Sequence, residues 1–195
     1  MYSKLSTQAI ILKSEDQGEK DVFLSVFTRE FGFVYAKATG VRTQSSRLRF
    51  SLQPMTLCFV SLVHGKAGWI LTNATFLKSY YFESLKTSQK QTLTKILHLL
   101  GRLYIGEEAD PELFDFIEQE LNRAVENDFD VDQLKQLEIF IVFRILEQLG
   151  YVEKHQTVKP ISNKASFSEE IQQYIEKNKD QITPFINAAI RTSGL

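Results

Sequence analysis

The sequence predicts an α+β protein, a small all-β domain followed by an α-helical one, on three observations. Five runs rich in β-branched and aromatic residues, separated by Gly and turn-forming clusters, occupy residues 1–84. Past Ser84 the apolar residues recur at three and four positions instead of two. The charge divides at the same place: residues 1–84 hold ten Lys/Arg against six Asp/Glu, and residues 85–195 hold thirteen against eighteen.

The five expected strands are Thr7–Ser14, Lys20–Thr28, Phe31–Thr39, Pro54–His64 and Trp69–Phe82. Five is the count of an OB-type barrel. In Phe33–Thr39 the alternation puts Val34, Ala36 and Ala38 in one row and Phe33, Tyr35 and Lys37 in the other. The small residues suit a tight barrel interior, and the aromatics with lysine suit an exposed surface that reads a ligand. Both rows of Met55–Val63 are largely apolar, which predicts a strand covered on both faces. His64–Trp69 reads as a hairpin turn.

The helical domain, residues 85–195, opens with a stripe of Leu93, Ile96, Leu97, Leu100, Leu103 and Tyr104. Asp110-Pro111 then caps a second helix carrying Leu113, Phe114, Ile117, Leu121, Ala124 and Val125. A third, from about Asp132 to Leu149, contains Ile139–Phe143, apolar all round, as expected of the central helix of a bundle. Tyr151–Phe167 shows no period and reads as a linker or surface loop. Ser166 and Glu169 have capping-box spacing and predict a short helix over Ser168–Lys179, and Thr183-Pro184 starts a last one before Gly194.

At 195 residues with 43% hydrophobic and 24% charged, the chain has the composition of one large or two small globular domains. The single cysteine, Cys58, leaves no pairing within the chain and reads as packing inside a strand. The start of the chain has only a four-residue apolar run, so the expectation is a soluble, cytoplasmic protein with no membrane span.

Signatures of catalysis are missing. The sequence has no GxxxxGK[ST], GxGxxG, HExxH or GxSxG. His64, His98 and His155 are each alone, and His98 reads as a hydrogen-bonded core or boundary residue. Glu15, Asp16, Glu19 and Asp21 offer carboxylates for a metal-dependent hydrolase, but the plainer reading is a solvated hairpin loop with Gly18 at its tip. Neither an enzyme nor a cofactor is expected.

The positive charge is more informative. Phe31–Phe82 contains six basic residues, Lys37, Arg42, Arg47, Arg49, Lys66 and Lys78, and no acid. At the chain's own density this stretch would carry roughly a dozen charges of both signs, so acid has been left out of it. Guanidinium and ammonium groups replace counterions on phosphates, and aromatic faces stack on bases. Phe33, Tyr35, Phe50 and Trp69 are the stacking candidates.

The succession Gly18-Glu19-Lys20-Asp21, Phe27-Thr28-Arg29-Glu30-Phe31-Gly32, Ala38-Thr39-Gly40-Val41-Arg42, Ser46-Arg47-Leu48 and Leu52-Gln53-Pro54 resembles the N-terminal OB domain of the RecO family of bacterial recombination mediators. The resemblance continues with Asp110-Pro111-Glu112-Leu113-Phe114 and with Phe143-Arg144-Ile145-Leu146 through Leu149-Gly150-Tyr151, and so runs to about residue 151. It implies a non-enzymatic DNA-repair protein that binds single- and double-stranded DNA and anneals complementary strands. It also implies cooperation with RecR and with single-stranded DNA-binding protein to load recombinase. By motif position the DNA-binding role passes to Lys37, Arg42, Arg47 and Arg49, with Lys66 and Tyr35 adjoining. The four-cysteine zinc motif of many relatives is missing from Val152–Phe167, so no metal is expected. Thr39 stands where the family often has a basic residue. A second hypothesis keeps the barrel as a docking module whose basic loop meets an acidic partner peptide.

Overall fold

The structure, a computed structural model, describes residues 4–44, 46–104, 106–152, 158–162 and 164–192. It has two compact units: residues 4–83 with 106–114 form the first, and most of the remainder forms the second. Residues 106–114, assigned by the sequence to the helical part, thus belong with the strands.

The first unit is built on β1 (Lys4–Gln17), β2 (Asp21–Thr28), β3 (Gly32–Ala38), β4 (Thr56–Gly65) and β5 (Gly68–Ser79). They close into a barrel in the order β1-β2-β3-β5-β4, antiparallel except where β3 and β5 run parallel. The inward row follows the predicted alternation: Val34, Ala36 and Ala38 of β3 face Ala9, Ile11, Leu24, Val26, Cys58, Val60 and Leu62 in one apolar cluster. Alanines on β3 let strands curve tightly where larger residues from β2 and β4 fill the interior. Burial pushes the Cys58 thiol up to about 12, so it packs as a small apolar group. Residues of both rows of β4 are buried, with Phe59 and His64 exposed.

Three local differences from the expected elements have physical causes. The last expected strand ends at Ser79, and Tyr80–Glu83 instead form a helical turn, α2, whose Tyr80 is wholly buried. Between β3 and β4 the basic stretch contains a short helix, α1 (Leu48–Ser51), that inserts Leu52 into the core. Residues 106–108 run against the turn between β2 and β3: the Phe33 N–H donates to the Gly106 carbonyl at 3.0 Å. A Cβ on Gly32, at φ +62°, would lie 2.3 Å from the Glu108 carbonyl oxygen, so only glycine admits this approach.

The second unit holds α3 (Thr87–Leu103), the body of α4 (Pro111–Glu126), α5 (Val131–Gln148) and α6 (Glu169–Thr192). As its apolar circumference predicts, α5 packs against both α3 and α6. Asp130 caps it, accepting from the N–H groups of Asp132 and Gln133. The two expected C-terminal helices are one: α6 passes through Pro184, because Ile182, Ile186 and Ala189 continue the buried stripe of Ile171 and Ile175. Its cap is Ser168 rather than Ser166, the hydroxyl accepting from Ile171. The expected linker is packed where it is described, with Val158, Ile161 and Phe167 buried. His98 is exposed, not a core residue, and His155 lies outside the described residues. Among the described residues no helix is long and apolar enough to cross a membrane.

Candidate nucleic-acid interface on the barrel

The outward row of β2 and β3 exposes aromatic rings. Tyr35 is 56% exposed and stacks on Phe23 of β2, centroids 6.2 Å apart and planes 22° apart. Phe33, expected in the same exposed row, is buried at 5%, its N–H bonded to the Gly106 carbonyl, and its ring meets Tyr35 edge-on with centroids 4.8 Å apart. Trp69, also a stacking candidate, is buried in the barrel core with its ring against Phe31. Of these three rings, Tyr35 alone is open to a stacking partner; Phe33 and Trp69 are buried. The sequence does not single out Phe23, because its β2 run holds four other apolar residues, Val22, Leu24, Val26 and Phe27; what marks it is its register opposite Lys37.

The cations divide by their partners. Lys37 Nζ lies 2.9 Å from Asp21, whose other carboxylate oxygen accepts the Gly40 N–H at 3.0 Å. These contacts, the Gly40 bond first and Lys37 next, hold the Asp21 carboxyl below the usual range. Arg42 reaches back to the β1–β2 hairpin, pairing with Asp16 at 3.0 Å and donating to the Gly18 carbonyl at 2.7 Å. Its own N–H donates to the Lys20 carbonyl at 3.0 Å. Arg42 thus pins the loop to the hairpin, and the acids of that hairpin act as its counter-charges. Among the described residues, no group of three or more His, Cys, Asp or Glu is placed to hold a metal ion.

Lys66 is exposed in the turn between β4 and β5, and has no ion pair among the described residues. The β3–β5 register, Ala36 opposite Trp69 and Lys37 opposite Ile70, brings that turn beside Tyr35. Arg47, at the N-cap of α1, and Arg49 within it are exposed, likewise without an ion pair among the described residues. They stand with Phe50 rather than with Tyr35. Lys78 pairs with Glu83 at 3.0 Å and lies over the Tyr80 ring. The sequence-predicted set is therefore divided in two: Tyr35, Lys37, Arg42 and Lys66 around the β2–β3 face, and Arg47 and Arg49 on α1.

A closed five-stranded barrel with exposed rings on β2 and β3, flanked by the β1–β2 and β4–β5 turns, defines an OB-fold domain. Residues 1–80 match the family model described as Recombination protein O N terminal, so this part of the chain is similar to the N-terminal domain of the RecO family. It is similar to proteins named DNA repair protein RecO. That of Heliobacterium modesticaldum is 32% identical over 54% of this chain and 40% of its own length. That of Syntrophobacter fumaroxidans is 28% identical over 75% and 57%, and that of Thermobifida fusca 29% over 56% and 45%. The chain spans about half the length of these relatives.

Proposed function

We propose that the chain is a DNA-repair protein that binds single- and double-stranded DNA on its barrel and anneals complementary strands. On this reading it helps to load recombinase on DNA coated by single-stranded DNA-binding protein, with a RecR-like protein as a second partner. It acts without catalysis or cofactor, in the cytoplasm at the nucleoid. The names of its relatives support the repair role. The observation that carries the DNA site is the Phe23–Tyr35 pair, exposed on the outer face of β2 and β3 between two turns bearing Lys20 and Lys66. Rings on that face offer bases a stacking surface, and the turn lysines offer phosphates their counter-charge.

Fluorescence anisotropy with a labelled single strand tests the reading. Some four phosphate contacts give a slope of log K against log salt of about −3. Tyr35→Ala combined with Lys66→Glu is expected to weaken binding at least about tenfold, since base stacking alone is worth about 1–3 kcal/mol. Unchanged affinity in that variant removes the β2–β3 face as the site.

A further inference from the structure

A second group of rings lies at the far end of β5. Phe50 of α1 has its ring 4.7 Å from Phe76 and nearly parallel to Phe82, 6.0 Å away at 12°. Tyr81 meets the edge of Phe82 at 5.5 Å. Phe50 is 52% exposed, Phe76 37% and Phe82 64%. Contiguous apolar surface of this kind on a small domain marks a contact site.

The charge around it selects the occupant. Arg49 precedes Phe50 on α1 and Arg47 stands at the helix N-cap, neither with an ion pair among the described residues. The whole stretch Phe31–Phe82 lacks an acid, and Glu83 is neutralised by Lys78. An apolar partner would bury these rings beside uncompensated guanidinium groups. A nucleic-acid strand satisfies both at once, its bases on the rings and its phosphates on the arginines.

Position separates this surface from the β2–β3 face. Lys37 is paired with Ile70 near the start of β5, and Phe76 lies six residues further along that strand. At about 3.3 Å per strand residue the two are on the order of 20 Å apart. That exceeds the Debye length of about 10 Å at 0.1 M salt, so phosphates held on the two surfaces repel each other only weakly.

We infer that Phe50, Phe76 and Phe82 with Arg47 and Arg49 form a second single-strand site, which holds one strand while the β2–β3 face holds another. The inference rests on the reading that the barrel binds DNA, and it supplies what annealing requires: two strands kept close with their charge neutralised.

Native mass spectrometry of the full chain with a fifteen-nucleotide oligothymidylate, beside a fluorescence annealing assay, tests it. The wild type is expected to saturate with two strands per chain. Phe82→Ser with Arg49→Ala is expected to keep one strand at unchanged affinity and to anneal complementary oligonucleotides at least about tenfold more slowly, the loss of one stacked base and one phosphate contact. Arg49→Ala alone leaves the rings in place and gives the same direction if the double variant does not fold. Saturation of the wild type at one strand, weakened by substitutions on either surface, makes them one continuous track and overturns the inference. A dimer that Phe82→Ser dissolves gives the surface to a second copy and also overturns it. A wild type that binds no oligonucleotide overturns the DNA reading itself, whereas the preceding outcomes leave that reading intact.

Discussion

Asp21 holds Lys37 at 2.9 Å while its second oxygen accepts the N–H of Gly40 at 3.0 Å, so one carboxylate on β2 fixes both a strand cation and the start of the basic loop. Lys37 is therefore not a free charge. Phosphate must compete for it with a carboxylate already in place.

Asp21→Asn keeps an oxygen for Gly40 and removes the competitor. Single-strand affinity is expected to rise at low salt, with the salt slope steeper by about 0.7, the value of one more phosphate contact. Because the folded-state pKa of Asp21 is lowered, its stabilising contribution is present above the ordinary aspartate pKa and is lost as pH falls through the lowered value. The variant is expected to lose that acid sensitivity. Anisotropy over a salt series, with melting temperatures over a pH series, measures both; an unaltered salt slope would mean that Lys37 meets no phosphate.

Glu120 is fully buried on α4, one oxygen accepting from Arg123 Nε at 3.1 Å and the other from the Phe167 N–H at 3.2 Å. Burial pushes its pKa up against the pull of Arg123 and of the Phe167 bond. The folded state thus holds the proton more tightly than the unfolded chain, and stability falls as pH rises between the ordinary and the raised pKa. Arg123→Ala leaves a carboxylate without its cation and is expected to cost about 3 kcal/mol at neutral pH, less near pH 4 where protonation relieves it. Urea unfolding at the two pH values decides, and an equal loss at both would sink the account.

Pro184 sits inside α6 without an N–H for the carbonyl one turn earlier. Pro184→Ala restores that bond, and the unfolding free energy is expected to rise by about 1–3 kcal/mol. A lower melting temperature would instead show that the packing of Ile182 and Ile186 depends on the helix axis that proline sets.

The barrel was legible because period two is a strong local signal: the row Val34, Ala36 and Ala38 could face only inward once Lys37 faced out. The fate of individual rings was not. Phe33 and Tyr35 have the same parity, yet the first is buried, with its N–H bonded to Gly106 far along the chain, and the second is left in water. Charge behaved similarly. The stretch Phe31–Phe82 has no acid of its own, yet Asp16 and Asp21 arrive from the neighbouring hairpin and engage Arg42 and Lys37. Composition read along the chain does not see partners supplied across a sheet. Helix α6 failed for the opposite reason, since Thr183-Pro184 is a sound local start signal that a buried stripe overrides.

The return of residues 106–114 to the barrel gives the order of synthesis a structural meaning. All five strands have left the ribosome by Ser79, but the carbonyl that receives the Phe33 N–H and the Phe114 ring that lies 5.4 Å from Phe27 emerge only with the helices. Until the start of α4 has been made, Phe27 lacks the Phe114 ring and the Phe33 N–H lacks its acceptor. The first unit is thus discontinuous in the chain, its last segment made only after α3 of the second.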